Sequence, residues 1–523
     1  TKFANMKLGP TGTLPLSATA QPNNLLSLDA ISLSDLIRTR RVKCVDLMNQ
    51  TLTHMQHINP KLNAIVSIKS KKDLLEEARA ADEHIDKGIY KGWLHGIPTA
   101  LKDLSNAEGL PTTMGGSKLF SSQKQQNMDD SFVRRMRNEG AIFVGKTNAP
   151  EIGLGSHTFN EMFGCTSNPY DESKSAGGSS GGAAVSLSSR IFCLADGSDM
   201  MGSLRNPAGW NGIYSKRPTA GMISDEVDDD NDNETCRGEN ENKTEGKSLL
   251  LPYPISTPGP MARSPLDVAA FLQTMAGPKN FDASTVPSNP DVAATKIGWL
   301  ADWSGAYPME EGILPLCETT LHNVFENKDA LDCHVEKISS ALFDAKDLWY
   351  SWTTIRSRYL SDVLSEALGG LDKVLSPKVG DAVVKPEVLW EVERGLRITD
   401  QELQKAINIA GNWSNYVMAD LFSKYDVCAL PSAQVWPFDK HQRWPEVING
   451  YKMEEYHRWM EIYIPVSLAG LPCVTIPAGY DEEGGLFMGL QLFGPRGSDS
   501  RLLSIAQAYH MIVNWPSKYP PLS

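Results

Sequence analysis

The chain has 523 residues, of which 41% are hydrophobic and 22% charged, and its formal net charge is −13. This composition is typical of a soluble globular protein, and no apolar run approaches the roughly 20 residues that a membrane-spanning helix needs. The acidic balance and the lack of a basic stripe argue against a nucleic-acid backbone as ligand. We therefore expect neither a membrane nor a nucleic-acid partner.

Cysteine and histidine usage narrows the class of protein further. The eight cysteines are scattered, with no CxxC pair and no disulfide-dense spacing, which favours a reducing compartment. We therefore expect a cytoplasmic protein. The ten histidines show no recognisable metal-ligand pattern, so we expect no metal and no cofactor.

Helices and strands alternate in the first part of the chain. Val45, Met48, Leu52 and Met55 lie on one face of a helix that Pro60 is predicted to end. The elements predicted next are a strand at 64–68, a helix ending at Gly88, a strand at 96–103, a helix from Asp130 to Gly140 and a strand at 141–144. This alternation is typical of an α/β protein.

Two motifs in this part contain a lysine. The predicted strand at 96–103, GIPTALKD, places Lys102 near its end, where burial of the lysine would require partners or a lowered pKa, whereas an isolated lysine is usually exposed. The segment GAIFVGKT at 140–147 matches the phosphate-loop pattern letter for letter. Its four middle residues form an apolar strand where a flexible loop is needed, so ATP binding is the weaker interpretation.

A glycine-serine stretch at 176–212 is the most unusual part of the sequence. In the loop GGSSGG at 177–182, four glycines around Ser179 and Ser180 permit close approach of the backbone to a ligand. A buried helix is predicted from Ala183, a strand at 191–195, and a turn at 197–203. Backbone N–H groups beside a serine hydroxyl in that turn are typical of an oxyanion hole around a nucleophile.

A serine nucleophile needs a base to remove its proton. Three histidines could serve if the fold brings them close to the serine, but nothing in their local sequence selects one. They are His157, His441 and His457. A lysine base is the alternative, and surface or structural roles remain open for each of these residues.

The second half of the chain carries fewer chemical signals. Residues 224–247 contain ten acidic and three basic residues, which favours a solvated, mobile insertion over a calcium site. A helix is predicted from Pro265 to Met275, mostly helical structure over 300–425, and a strand at 426–431.

Several motifs occur in the order that characterises one known family. The strand that ends in Lys102, the loop at 177–182 and the turn GSDMMGSLR at 197–205 are three of them. The others are GKTN at 145–148, SNPY at 167–170, KRPT at 216–219, GPMAR at 259–263, LAGLP at 468–472 and GLQLFGP at 489–495. On these motifs the chain resembles the amidase signature family over roughly residues 28–512.

The resemblance implies an α/β fold, with residues 28–512 as a single α/β/α domain around a large mixed twisted sheet. Residues 1–27 would then be an N-terminal arm and residues 513–523 a C-terminal tail. It also implies a Ser-cis-Ser-Lys triad, with Ser203 as nucleophile, Ser179 as bridging serine and Lys102 as base. A lysine acts as a base only when it is neutral, which fits burial at the end of a strand.

Other roles follow from the same resemblance. The residues that would support the triad are Ser180, Asp199 and Arg205, and the alternatives are hydrogen bonding within the loop for Ser180 and a structural ion pair for Asp199 and Arg205. The oxyanion would be bound by the backbone N–H groups of Met200, Met201, Gly202 and Ser203. The substrate would contact Gly153, Leu154, Gly155, Met201 and Trp436. Met201 departs from the glycine that many family members have there, and its thioether is expected either to narrow the pocket toward small or apolar substrates or to fill the local core.

The leading functional hypothesis is a hydrolase that cleaves the linear C–N bond of a small amide or carbamate through a serine acyl-enzyme. The overall pattern and the acidic segment also resemble fungal urethanase-type members, so urethanase and esterase activity belong to this hypothesis. The alternatives are an amidotransferase subunit that supplies ammonia and a non-catalytic binding protein in which Met201 blocks the site. We expect a small-molecule amide or carbamate as substrate and a homodimer as one assembly.

Overall fold

The computed structural model describes residues 24–120, 127–224, 250–338, 343–375 and 384–518. Apart from residue 224, the predicted acidic insertion lies outside these ranges, as do residues 1–23 and 519–523. In the described part of the predicted arm, Leu25–Ser27 forms a short 3₁₀ turn in which Leu25 is buried. The prediction of a mobile insertion therefore stays a prediction.

Helices and strands alternate over the first half, and helices dominate residues 300–425. The helices are α1 Ala30–Arg38, α2 Cys44–Leu62, α3 Lys71–Asp86, α4 Ser131–Asn138, α5 Gly181–Ser188, α6 Arg205–Trp210, α7 Pro265–Ala276, α8 Ile313–Thr320, α9 Ala345–Leu368, α10 Asp372–Leu375, α11 Pro386–Arg397, α12 Asp400–Tyr416, α13 Ile464–Leu468, α14 Asp499–Val513 and α15 Trp515–Lys518. The strands are β1 Ile65–Val66, β2 Pro98–Lys102, β3 Ile142–Thr147, β4 Phe159–Asn160, β5 Gly164–Cys165, β6 Leu194–Asp199, β7 Tyr214–Arg217, β8 Thr257–Ala262, β9 Lys296–Trp299, β10 His334–Lys337, β11 Val427–Pro431, β12 Val447–Ile448, β13 Tyr451–Lys452, β14 Cys473–Asp481 and β15 Leu486–Phe493.

Eight strands form one mixed sheet in the order β10-β9-β11-β15-β14-β7-β8-β6. The strands β10, β9 and β11 are parallel, and the other neighbours are antiparallel. A smaller sheet, β1-β3-β2, pairs β2 parallel with β3 and β1 antiparallel with β3. The helices pack around the large sheet as one α/β domain, which confirms the predicted fold class.

Hydrogen bonds place β2 of the small sheet against β6 at the edge of the large one. Thr99 Oγ1 donates to the carbonyl of Leu194 over 2.9 Å, and the backbone N–H of Lys102 donates to Asp196 Oδ1 over 2.9 Å. All five residues of β2 are buried. The end of β2, where Lys102 lies, is therefore held next to the middle of β6.

Several predicted element bounds are wrong, including the end of β3, which is Thr147 instead of the predicted 144. The helix predicted to end at Pro60 continues to Leu62, because a proline in the last turn removes only one N–H, and Asn63 adopts the left-handed cap with its N–H bonded to the Asn59 carbonyl. The strand predicted at 191–195 is β6, which begins at Leu194 and continues to Asp199 by pairing with β8. Tertiary pairing decides the extent of β6, and it moves part of the predicted turn into a strand.

Small residues allow α5 to lie in the centre of the domain. All eight of its residues are buried, and a Cβ added at Gly182 would come within 2.4 Å of the backbone nitrogen of Asn148. The glycine is therefore required for the close approach of α5 to the segment after β3. No helix within the described ranges has the length and apolar character needed to cross a membrane.

Candidate active site

The GGSSGG loop continues into α5, which begins at Gly181, and it is fixed from several sides. Gly177 has φ +75°, and a Cβ there would lie 2.2 Å from Asn206 Oδ1. That oxygen accepts the backbone N–H of Gly178 over 3.1 Å, and Thr158 Oγ1 donates to the Gly177 carbonyl over 2.8 Å. The peptide bond between Gly178 and Ser179 is cis. The loop therefore presents the Ser179 hydroxyl in one defined position.

Three serine hydroxyls surround the ammonium of Lys102, which is fully buried. Its Nζ lies 2.8 Å from Ser179 Oγ, 2.9 Å from Ser180 Oγ and 3.0 Å from Ser198 Oγ. A charged ammonium has three protons to donate, which matches three hydroxyl oxygens. A neutral amine donates two protons and accepts one, so one of the hydroxyls can then donate to the lysine.

Burial lowers the pKa of Lys102 to about 7, and the carboxylates of Asp196 and Asp199 oppose this shift by favouring the charged form. No carboxylate is hydrogen-bonded to its Nζ among the described residues; the nearest partners are neutral hydroxyls. Desolvation of an ammonium without a directly paired anion favours the neutral amine. The lysine can therefore exchange a proton near neutral pH.

A second buried cluster lies directly after β6. The Asp199 carboxylate accepts from Arg205 Nη2 over 2.8 Å and from Arg205 Nε over 3.0 Å, and Arg217 Nη1 lies 3.3 Å away. Burial by itself would raise the pKa of Asp199, but the two guanidiniums hold it well below its usual range. Arg205 also donates to Gln491 and Ser467. The predicted supporting residues Asp199 and Arg205 thus form an ion pair that anchors the turn.

The same carboxylate organises the turn that carries Ser203. Asp199 accepts the backbone N–H of Gly202 over 3.0 Å and of Leu204 over 3.0 Å. The N–H of Gly202 is therefore already used, unlike the other predicted oxyanion donors. No described residue accepts the N–H groups of Met200, Met201 and Ser203.

Glycine is required at position 202. Gly202 has φ +89°, and a Cβ there would come within 2.4 Å of the Tyr463 ring.

The predicted supporting residue Ser180 connects the turn to the loop, because its N–H donates to the Ser203 carbonyl over 3.2 Å. The loop and the turn are thereby held side by side.

Ser179 and Ser203 line one cavity of about 70 Å³. Its lining combines apolar side chains with four serines and one arginine, and it consists of Leu104, Ile152, Gly153, Leu154, Gly155, Ser179, Ser198, Met200, Met201, Ser203, Ser256, Arg356, Leu360 and Met460. One water needs about 10–15 Å³ of such space, so the cavity has room for about five waters or one short organic group. The structure brings the predicted contacts Gly153, Leu154, Gly155 and Met201 together here.

Met201 and Trp436, both predicted to contact the substrate, are placed differently. Met201 is 3% exposed, and its Sδ accepts a hydrogen bond from Trp352 Nε1 over 3.1 Å, so its thioether is fixed at the cavity wall. Trp436 donates Nε1–H to the Glu311 carbonyl over 3.0 Å and is not one of the residues described as lining the cavity. The structure therefore does not bring Trp436 to the site.

Several site residues were not predicted, among them Ser198, Asp196 and Arg356, which have polar or charged side chains. Ser198 lies in the quoted turn motif, where its contact with Lys102 depends on β6 extending to Asp199. Asp196 is fully buried beside Lys102, and burial raises its own pKa. Arg356 lies 153 positions after Ser203 on α9, in a region whose sequence shows only helical periodicity. Only the motif around Ser198 offered a signal.

Within the described residues, the three candidate histidines do not belong to the lysine–serine cluster. His157 is hydrogen-bonded to Ser175 Oγ over 2.7 Å and to the Lys440 carbonyl over 2.9 Å. His457 is buried between aromatic rings such as Tyr456, with ring centroids 4.5 Å apart. Within the described part of the chain, none of the three candidates, His441 included, is hydrogen-bonded to Ser203.

This fold and the lysine–serine cluster are the features expected of the amidase signature class. The sequence profile of the family described as Amidase matches residues 46–503. The chain therefore belongs to the Amidase family.

Among curated relatives, the chain is 29% identical to a glutamyl-tRNA(Gln) amidotransferase subunit of Nostoc sp., covering 93% of this chain and 98% of that protein. Among solved structures, a bacterial aryl acylamidase of the amidase signature family is 23% identical with a TM-score of 0.80, covering 94% of this chain and 98% of that one. The 6-aminohexanoate cyclic dimer hydrolase is 22% identical with a TM-score of 0.77, covering 96% and 100%. These structures share the fold.

Proposed function

We propose that this protein hydrolyses the C–N bond of a small amide or carbamate, with Ser203 as nucleophile, Ser179 as bridging serine and Lys102 as base. The observation that carries the proposal is the 2.8 Å contact between the buried Lys102 amine and Ser179, in the cavity that Ser203 also lines. A base with a pKa near the working pH is the most effective proton acceptor. The pKa of Lys102, lowered by burial to about 7, meets that requirement.

In the first half of the reaction, neutral Lys102 accepts the Ser179 proton while Ser179 accepts the Ser203 proton. Ser203 Oγ then forms a bond to the substrate carbonyl carbon, and the carbonyl oxygen becomes an oxyanion. The backbone N–H groups of Met200, Met201 and Ser203 are the donors available to that oxygen. Loss of one such donor typically costs about 3–4 kcal/mol of transition-state stabilisation.

In the second half, the proton returns through Ser179 to the leaving nitrogen as the C–N bond breaks, which releases an amine or ammonia. Water then loses a proton to the same relay and attacks the acyl-enzyme, releasing the acid and restoring Ser203. Because Lys102 must be neutral to start each half, kcat/KM is expected to rise with pH through about 7. A profile that is flat across this range would contradict the lysine base.

The amidotransferase subunit is a second candidate because curated relatives with that description cover 93% of the chain. Its donor, glutamine, carries an ammonium and a carboxylate. No acidic side chain is among the described residues that line the cavity, and Arg356 is the one charged side chain there. This lining supports a neutral substrate over glutamine.

A hydrolysis panel tests the proposal directly. Butyramide, acetanilide, ethyl carbamate and glutamine are each incubated with the purified chain and with Ser203→Ala, and amine or ammonia release is measured. We expect release from a neutral substrate by the wild type alone, together with Ser203-dependent labelling by a fluorophosphonate. Labelling without turnover of any neutral substrate would refute the hydrolase proposal, and turnover of glutamine alone would favour the amidotransferase function.

A further inference from the structure

Gly153 has no side chain at the point where the cavity wall passes the bridging serine. A Cβ added at Gly153 would lie 3.7 Å from Ser179 Oγ and 2.8 Å from Leu104 Cδ1. Apart from its two neighbours in the chain, it would meet no other described atom within 4 Å. Gly153, Ser179 and Leu104 all line the cavity that Ser203 lines. The bare backbone of Gly153 is therefore the part of the cavity wall that lies beside the Ser179 hydroxyl.

Hydrogen bonds of the main chain hold Gly153 at this place. Its N–H donates to the Pro150 carbonyl over 2.8 Å. The carbonyl of the next residue, Leu154, accepts from Lys385 Nζ over 2.8 Å. Both contacts involve backbone atoms of the segment, so they do not depend on a side chain at position 153. The space beside Ser179 Oγ is therefore a fixed feature of the site.

The proposed mechanism brings the leaving nitrogen to the same part of the wall. Ser179 returns a proton to that nitrogen, and a proton donor acts over about 2.6–3.2 Å between heavy atoms. The nitrogen must therefore approach Ser179 Oγ to within this distance, and the missing Cβ of Gly153 lies 3.7 Å from that same oxygen. A group bonded to the nitrogen can then extend along Gly153.

The surface that would meet such a group is apolar. Leu104 contributes a methyl group, and Ile152, which precedes Gly153, also lines the cavity. No charged atom of the described residues lies within 4 Å of the missing Cβ. An alkyl group would bury apolar surface here, whereas a charged group would lose its hydration without gaining a partner. This part of the wall therefore suits an alkyl substituent.

From this geometry we infer that Gly153 is a specificity-determining residue, which makes room for an alkyl substituent on the leaving nitrogen. The inference rests on the proposed amide hydrolysis at Ser203. The substrate class is a secondary amide of a small alkylamine, because the cavity measures about 70 Å³. The C–N bond breaks, the nitrogen takes the Ser179 proton and leaves as the alkylamine, and water then supplies the oxygen of the acid.

Isomeric substrates test this inference. N-Ethylacetamide and butyramide have the same atoms, and they differ in whether two carbons lie on the nitrogen or on the acyl chain. Gly153→Ala should lower the kcat/KM ratio of N-ethylacetamide to butyramide at least about tenfold, because the new methyl group takes the space beside Ser179. An unchanged ratio would overturn the inference. A raised ratio would also overturn it, because Gly153 would then lie beside the acyl chain.

Gly155→Ala is the matched control for backbone strain. Both glycines have a positive φ, +69° at Gly153 and +86° at Gly155, and both line the cavity. A Cβ at Gly155 would lie 3.7 Å from Lys385 Nζ and would meet no serine of the site within 4 Å. This variant should leave the ratio unchanged, whatever it does to the two rates. An equal fall in both variants would assign the effect to strain and overturn the inference.

Leu104→Ala tests the same space in the opposite direction, and it serves if Gly153→Ala does not fold. The truncation removes the methyl group that lies next to the missing Cβ. It should raise the kcat/KM ratio of N-butylacetamide to its isomer hexanamide at least about tenfold, because a longer substituent on the nitrogen then fits. A ratio that stays at the wild-type value would contradict the assigned position of the substituent.

Binding to Ser203→Ala distinguishes this inference from the proposed hydrolysis. Ligand-observed NMR titrations compare N-ethylacetamide and butyramide without any turnover. Adding Gly153→Ala should weaken N-ethylacetamide at least about fivefold more than butyramide, because the extra methyl group overpacks the space beside Ser179. Absence of hydrolysis together with this binding difference would refute the proposed function alone, whereas equal weakening of the two amides would refute the role of Gly153.

Discussion

Two fully buried charge clusters lie side by side at the end of β6, and they are built in opposite ways. In one, the Lys102 ammonium is hydrogen-bonded among the described residues only to neutral groups, which are three serine hydroxyls and the Ser198 carbonyl, and burial brings its pKa to about 7. In the other, the Asp199 carboxylate contacts Arg205 and Arg217 directly, and they hold its pKa well below the usual range. Equal burial thus gives a group that can change charge and a pair that cannot.

The comparison separates two roles of buried charged groups near the end of β6. A group that exchanges a proton needs a pKa near the working pH, whereas a group that positions a turn is better permanently charged. The partner within hydrogen-bond distance decides between them, because desolvation acts on both clusters. The lysine cluster is therefore suited to chemistry and the ion pair to architecture.

The largest effect is expected from breaking the lysine cluster. Lys102→Ala should lower kcat on an amide substrate by at least about 10³-fold, because removing one member of a cooperative catalytic group removes most of its effect. Stopped amide-hydrolysis assays measure this loss. Lys72→Met, at a lysine whose side chain is 82% exposed, is the control and should leave kcat unchanged. Activity of Lys102→Ala within tenfold of the wild type would contradict the assigned base.

The ion-pair cluster should show its effect in stability. Arg205→Met leaves Asp199 buried with only the more distant Arg217, and breaking a buried ion pair typically costs about 3–5 kcal/mol of the free energy of unfolding. Urea denaturation measures that difference. Arg38→Met removes an exposed pair with Asp35 and should cost less than about 1 kcal/mol. Equal losses in the two variants would show that burial does not matter here.

The smallest effect is expected from a buried carboxylate next to the lysine cluster. Asp196 lies beside β2, and its negative charge raises the pKa of Lys102. Asp196→Asn should therefore lower that pKa and move the acidic limb of the kcat/KM profile to lower pH, by about one unit. The control variant Asp499→Asn removes a buried carboxylate that pairs with Lys216. The acidic limb of its kcat/KM profile should stay at the wild-type pH. If the acidic limb of the kcat/KM profile stays at the same pH in Asp196→Asn, this carboxylate does not influence the pKa of Lys102.

Local patterns in the chain were sufficient for much of the fold. The strand ending on Lys102, the buried helix after the glycine-serine loop and the helix from Pro265 were all predicted near their observed bounds. These elements could be predicted because the residues that set their periodicity, their caps and their ends lie within a few positions of each other in the chain. The end of α2 and the extent of β6 were not predicted correctly, because a cap conformation and pairing with β8 decide them.

By itself, the sequence determined the α/β class, the motifs around Ser179 and Ser203, and the candidate supporting residues Asp199 and Arg205, because these depend on short, ordered stretches of residue types. Only the tertiary structure decided that Ser198 joins the Lys102 cluster, that Gly202 donates to Asp199 and that Arg356 lines the cavity. These contacts join residues whose spacing in the chain carries no signal. Burial and partner geometry, which set the lysine pKa, arise only when the whole chain is packed.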